Sequence, residues 1–207
     1  MRIGLTAGSR GDVARLDQAL TQLAGSLQCE RILFLGDRVA DLDALVPAPP
    51  ATAIDGDAGF LAAVTDFMLG QQGQAAPPTS LLERYGVPVL GVAEKGSARH
   101  QQDPASAKHL DMLGMSIVLA VHDKNDLVKE DIANAALILH GDGDAPAVVQ
   151  IGTRAFITPG PLAEGGGHLG VLSEVAGGFG FDAYDLHGTS VHSQVFNLRR
   201  TAKFSVK

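Results

Sequence analysis

The chain alternates short apolar runs with amphipathic or polar stretches, the signature of strands laid side by side with helices between them. Residues 2–7 form a first apolar run that reads as a buried strand. Asp12 follows as a helix N-cap, and Val13, Leu16, Leu20 and Leu23 recur at helical spacing. A second short run over 31–35 ends at Gly36-Asp37. Strand, glycine-containing turn, helix and strand open an α/β unit whose strands run parallel. Runs over 87–92, 116–121 and 135–140 continue the series, with a short helix over 127–133. The spacing also predicts a helix over 104–113. From residue 147 the texture changes to short runs over 147–151, 155–158, 169–174, 179–186 and 191–198, separated by turns. His187-Gly188 suits a hairpin turn between the last two, so antiparallel strands are expected there.

Between the second and third runs lies an irregular stretch at about 40–80. Residues 46–53 are rich in Pro and Ala, Phe60, Val64 and Met68 give helical spacing over 57–69, and 71–79 is polar with two prolines. Too little apolar sequence precedes it to build an independent core. The 207 residues therefore read as one domain with an insertion or long connection. A domain of that size buries roughly 70% of its unfolded surface and needs no staples. The helix of the insertion could offer Phe60, Val64 and Met68 to a partner, or pack on its own domain.

Composition narrows the setting. Cys29 is the only cysteine, which excludes an internal disulfide and suits a reducing compartment. No signal-peptide pattern opens the chain, and the apolar runs fall short of the ~20 residues that cross a bilayer. A cytoplasmic protein with no membrane association is expected. The net charge of −7 disfavours nucleic acid, whose binding rests on neutralising phosphates with Lys and Arg. Arg199, Arg200, Lys203 and Lys207 make the tail locally basic, as a solvated terminus does.

In α/β sheets, ligands meet the carboxyl ends of the strands. Those ends carry Gly8-Ser9-Arg10-Gly11, Gly36-Asp37, the segment 91–96, His122-Asp123 and Gly141-Asp142-Gly143-Asp144. In this order the chain resembles the calcineurin-like metallophosphoesterases, above all their small bacterial phosphodiesterase branch. That family carries Asp-x-His-Gly, Gly-Asp-x-x-Asp, Gly-Asn-(His/Cys)-(Asp/Glu), a lone His, Gly-His-x-His-x-Pro and an Asn-Pro-Gly-Ser turn. Residues 2–11 match the first block in their apolar run and closing Gly11, and Phe34-Leu35-Gly36-Asp37 match the second. His122 stands where the lone His belongs, 141–146 has the frame of the Gly-His-x-His-x-Pro block, and 156–162 resembles the Asn-Pro-Gly-Ser segment. The resemblance implies a four-layer αββα sandwich.

The ligands themselves differ. Gly8 and Arg10 stand for the Asp and His of the first block, and Ala40, with Asp41 beside it, for the second Asp of the second. Ala93 or Glu94 lies nearest the Asn of the third, and Asp142 and Asp144 replace both histidines of the Gly-His-x-His block. Asp37 and His122 alone keep family identity. Family members use two metals sharing one bridging carboxylate, and Asp37 corresponds to that bridge. One metal would also need the positions of Gly8, Arg10 and Asp144; glycine supplies no donor and arginine is a permanent cation. The other would draw on Asp37, His122, Asp142 and Glu94, which suit Mn, Zn or Mg.

Two readings stay open. In the first, Arg10 balances the charge of Asp37 or Asp144, no cofactor is held, and the chain is a catalytically degenerate phosphoesterase-like protein acting as a binding, scaffold or regulatory protein. Its partner is then another protein or a second copy of itself. In the second, one divalent metal on Asp37, His122 and Asp142 makes a divergent phosphoesterase. A smaller option places an anion on the Gly11 and Asp12 N–H groups beside Arg10, at the start of the first helix. Gly141–Asp144 lacks the further acids and closing Glu of a calcium loop. No helix signature follows Gly165-Gly166-Gly167-His168, which reads as a turn. Ser9 has no adjacent base, and Gly-x-Ser-x-Gly is absent.

Overall fold

The first apolar run becomes β1 (Arg2–Thr6), whose last four residues are fully buried. A strand apolar on both faces belongs in the middle of a sheet covered on both sides. β1 accordingly lies between β2 (Arg31–Phe34), its parallel neighbour, and β9 (His168–Val175), its antiparallel one. With β3 (Val89–Gly91), β10 (Gly178–Asp185) and β11 (Ser190–Phe196) they form a six-stranded sheet ordered β11-β10-β9-β1-β2-β3. A second sheet has the order β4-β5-β6-β8-β7, built from β4 (Lys108–Leu113), β5 (Ser116–Val121), β6 (Leu137–His140), β7 (Ala147–Ile151) and β8 (Arg154–Thr158). The computed structural model describes residues 1–36, 38–46, 78–163 and 167–198. Asp37, nearly all of the 46–79 stretch with Phe60, Val64 and Met68, Gly165-Gly166 and the basic tail lie outside the described residues.

Period-two alternation decides which residues face which layer. Ile3, Leu5, Leu33 and Leu35 of one sheet meet Val118, Ala120, Leu137, Leu139 and Ile157 of the other, with Phe179 and Phe181 closing the core between them. The outer face of the six-stranded sheet, with Ile32, Phe34, Leu169 and Val171, is covered by α1 (Val13–Ala24) through Leu16, Ala19, Leu20 and Leu23. Asp12 caps that helix as its position implies, accepting the Arg15 N–H at 3.0 Å. The outer face of the five-stranded sheet, with Leu119, Val121 and Ile138, is covered by α5 (Lys129–Asn134) through Ile132. The layers therefore run helix, sheet, sheet, helix. Short helices α2 (Ala40–Asp43), α3 (Leu81–Tyr85) and α4 (Ala98–Gln102) complete the connections. No helix among the described residues is long and apolar enough to cross a membrane.

One element departs from the sequence reading. Residues 104–113 do not form a helix: a single 3-10 turn, Pro104–Ala107, is followed by β4, which pairs antiparallel with β5 along its whole length. The capping signal before Pro104 is real, since Asp103 accepts the Ala105 N–H at 3.0 Å. What defeats the helix is Gly114, whose φ of +59° turns the chain back so that six residue pairs form at once. Leu110 and Met112 stay 68% and 51% exposed, so the apolar spacing that suggested a helix does not mark a core face.

β4 is also tied to the other sheet. Arg31, opening β2, forms an ion pair with Asp111 and donates to the Met112 carbonyl at 3.1 Å. Asp111 Oδ1 further accepts the Met112 N–H at 2.7 Å. Cys29 is packed under α1, as its place after that helix suggests, and burial pushes its thiol up to about 12. Only the thiolate reacts, so Cys29 should label with an alkylating reagent at pH 8 only after denaturation; rapid labelling of the native chain would contradict this packing.

Candidate functional site

The carboxyl ends of β1, β5, β6 and β8 converge on one cavity of about 200 Å³, lined by Gly8, Arg10, His122, Gly141, Asp142, Gly143, Asp144 and Pro161. Of the residues singled out in the sequence, Arg10, His122, Asp142 and Asp144 are thus brought together. Glu94 is exposed and does not line the cavity. Asp37 lies outside the described residues.

His122 follows β5 and is fixed from two sides. Its ring Nδ1 lies 2.8 Å from the carbonyl oxygen of Leu35, at the end of β2 in the other sheet. A carbonyl only accepts, so Nδ1 carries the proton and Nε2 of the neutral ring presents a lone pair. The His122 carbonyl accepts the N–H groups of Gly141 and Asp142, at 2.8 and 3.0 Å, which locks the turn after β6 beneath it. Gly141 lies so close to the Leu35 carbonyl that a Cβ there would overlap its oxygen. Only glycine lets the two sheets meet at this point. Asp142 points toward solvent and pairs with Lys124 at 3.4 Å, both side chains about half exposed, a pairing of small energetic worth. His140, buried beneath it, is held below its ordinary pKa by burial and by the charge of Lys124.

The loop after β1 is organised by a residue that the sequence reading left unassigned. Asp41, in α2, is 4% exposed, and its Oδ2 accepts the Ser9 hydroxyl at 2.7 Å and the Gly11 N–H at 2.9 Å. The Asp12 N–H goes to the Ser9 carbonyl at 2.9 Å. The expected anion site on the Gly11 and Asp12 N–H groups is therefore not open: both are engaged within the chain, one by its own carboxylate. Ser9 is fully buried and spends its hydroxyl on the same carboxylate. A signal for Asp41 was present, since it stands beside Leu42 and four residues before Leu45, on the inward stripe of a short helix.

The family resemblance implies a pair of metal ions at these strand ends. Gly8 brings no donor and Arg10 brings a fixed positive charge into the same cavity, so the pair of ions does not fit. Among the described residues no three His, Cys, Asp or Glu side chains group to hold an ion. His122 Nε2, Asp142 and Asp144 are donors that line the cavity without grouping to hold an ion among themselves, and Asp37 lies outside the described residues.

No protein-family model and no curated protein matches the chain. Solved structures do. The chain is similar to a predicted phosphoesterase from Streptococcus pneumoniae, at 15% identity and TM-score 0.56, covering 94% of this chain and 96% of that one. It is similar to an archaeal phosphodiesterase at 9% identity and TM-score 0.55, covering 95% and 100%. It is also similar to vacuolar protein sorting 29 from Cryptosporidium parvum at 10% identity and TM-score 0.51, covering 95% and 97%. At such identities the likeness establishes architecture and leaves chemistry to the side chains. The two sheets, their helical covers and these neighbours establish that the chain has the calcineurin-like metallophosphoesterase fold.

Proposed function

We propose that the chain is a catalytically degenerate phosphoesterase-like protein that acts by binding another protein, as a scaffold or regulator. The observation that carries this reading is Arg10 lining the strand-end cavity beside His122, Asp142 and Asp144, with Gly8 next to it. A guanidinium cannot be deprotonated and cannot ligate a metal. In that position it balances Asp142 and Asp144, which stand where the family's plan has histidines facing metal ions. The fold neighbours carry names of both kinds, esterase and sorting protein.

The chain purified from its host is expected to hold less than about 0.1 equivalent of Mn, Zn, Fe or Ni by elemental analysis. With added Mn²⁺ it should leave a generic phosphodiester such as bis(p-nitrophenyl) phosphate unhydrolysed. Robust turnover that Asp37→Asn abolishes would overturn the proposal.

A single-metal phosphoesterase is the second reading, and one observation favours it. Ligating histidines commonly donate their other ring N–H to a carbonyl, which fixes the free nitrogen toward the ion; His122 does this to Leu35. Asp142 and Asp37 would complete that set. One tightly held ion per chain, lost in His122→Ala, is the result that would select it.

A further inference from the structure

We infer that Asp41 is the positioning residue for Arg10: its buried carboxylate fills the concavity of the loop after β1 and so fixes where that guanidinium stands. Gly8, Arg10 and Gly11 all have positive φ, at 59°, 50° and 87°. A non-glycine residue held there is strained and persists only where its surroundings over-determine it. Loops of this kind aim neighbouring N–H groups into a hollow that takes an anion. Here the anion belongs to the chain. Asp41 Oδ2 bonds Ser9 Oγ at 2.7 Å and Gly11 N–H at 2.9 Å, the residues on either side of Arg10. Arg10 cannot relax to an ordinary φ without breaking one of these bonds.

The burial pattern supports an action through the loop rather than at the cavity. Asp41 and Ser9 are buried, whereas Arg10 is exposed and lines the cavity. Asp41 Oδ1 faces Arg38 Nε at 3.5 Å, and Arg38 also covers Gly11, where a Cβ would sit 3.0 Å from its Nη1. The segment after β2 thereby clamps the segment after β1 from behind. This inference rests on the reading above only in taking Arg10 as the group that occupies the site.

The test reads Arg10 itself in the full-length ¹⁵N-labelled chain, by NMR of the arginine Nε–H groups, with Arg10→Lys identifying its resonance by loss. Asp41→Asn keeps the shape and removes the charge; the Arg10 resonance should shift and its proton exchange with water about tenfold faster. Ser9→Ala removes one of the two bonds and should give about a threefold change in the same direction. Asp17→Asn, which weakens the contacts of α1 with Arg84 and Tyr85, is the control for general loosening and should leave Arg10 unmoved. An unmoved Arg10 resonance in folded Asp41→Asn overturns the inference, and so does equal movement in Asp17→Asn. Should Asp41→Asn fail to fold, an unmoved resonance in Ser9→Ala overturns it alone. Stoichiometric metal in the purified chain would instead overturn the metal-free reading, and the loop result would stand apart from it.

Discussion

Gly141→Ala is expected to cost more than about 4 kcal/mol, enough to leave little folded protein. The added methyl group would overlap the Leu35 carbonyl oxygen, which is backbone and cannot rotate aside. That oxygen ends β2 in one sheet and receives His122 Nδ1 from the other, while the Gly141 N–H bonds the His122 carbonyl. Relief of the clash must therefore separate the sheets at the site or break these bonds. Gly152→Ala is the informative comparison: its φ is +65° but a Cβ there meets nothing, so only the backbone term of about 1–2 kcal/mol applies. Guanidinium unfolding of both variants checks the difference. Equal midpoints would show that the approach of Gly141 to Leu35 is not what limits stability.

Phe181→Ala should destabilise by about 3–5 kcal/mol, the range for removing a buried aromatic ring. Phe181 has no exposed surface and sits in β10, in the core between the sheets. Its ring occupies the notch left by Gly170 on β9, where a Cβ would lie 2.7 Å from it, and stands 5.7 Å from the ring of His192 on β11. Three strands thus share one ring, and none can close on the gap without moving against the others. Phe181→Leu refills part of the volume and should recover roughly half of the loss. Denaturant titration reads both; an alanine cost under about 1 kcal/mol would mean that the sheets collapse freely over the cavity.

Much of the architecture was legible because a strand buried on both faces shows as a short unbroken apolar run, distinct from the 3.6-residue stripe of a half-buried helix. The runs of β1, β2, β5 and β6 and the stripe of Leu16, Leu20 and Leu23 are such cases. β4 was misread because Leu110 and Met112 are apolar yet solvent-facing, and only Leu113 at its end is fully buried. The better clue was Leu113-Gly114-Met115-Ser116, a turn directly before a strongly apolar strand.

The site was legible in part for a different reason. Arg10, His122, Asp142 and Asp144 follow strand ends, and parallel topology brings strand ends together whatever the distance in sequence. Glu94 also follows a strand, β3, but β3 is the outermost strand of its sheet and its loop does not line the cavity. Asp41 was noted only as the neighbour of Ala40, and its role was not legible because its partners are a hydroxyl and an amide, neither of which announces a carboxylate in a sequence.

The Arg31 pairing has a meaning beyond the joining of two sheets. β4 is an outer strand carrying exposed Leu110 and Met112, with Met115 and Ile117 beside them, the kind of margin on which chains template copies of themselves. At Met112 the amide hydrogen is taken by Asp111 and the carbonyl by Arg31, so neither remains for an incoming strand. The ion pair closes this one position of the edge to strand addition, and because its halves come from opposite sheets, it forms only once the sandwich has assembled.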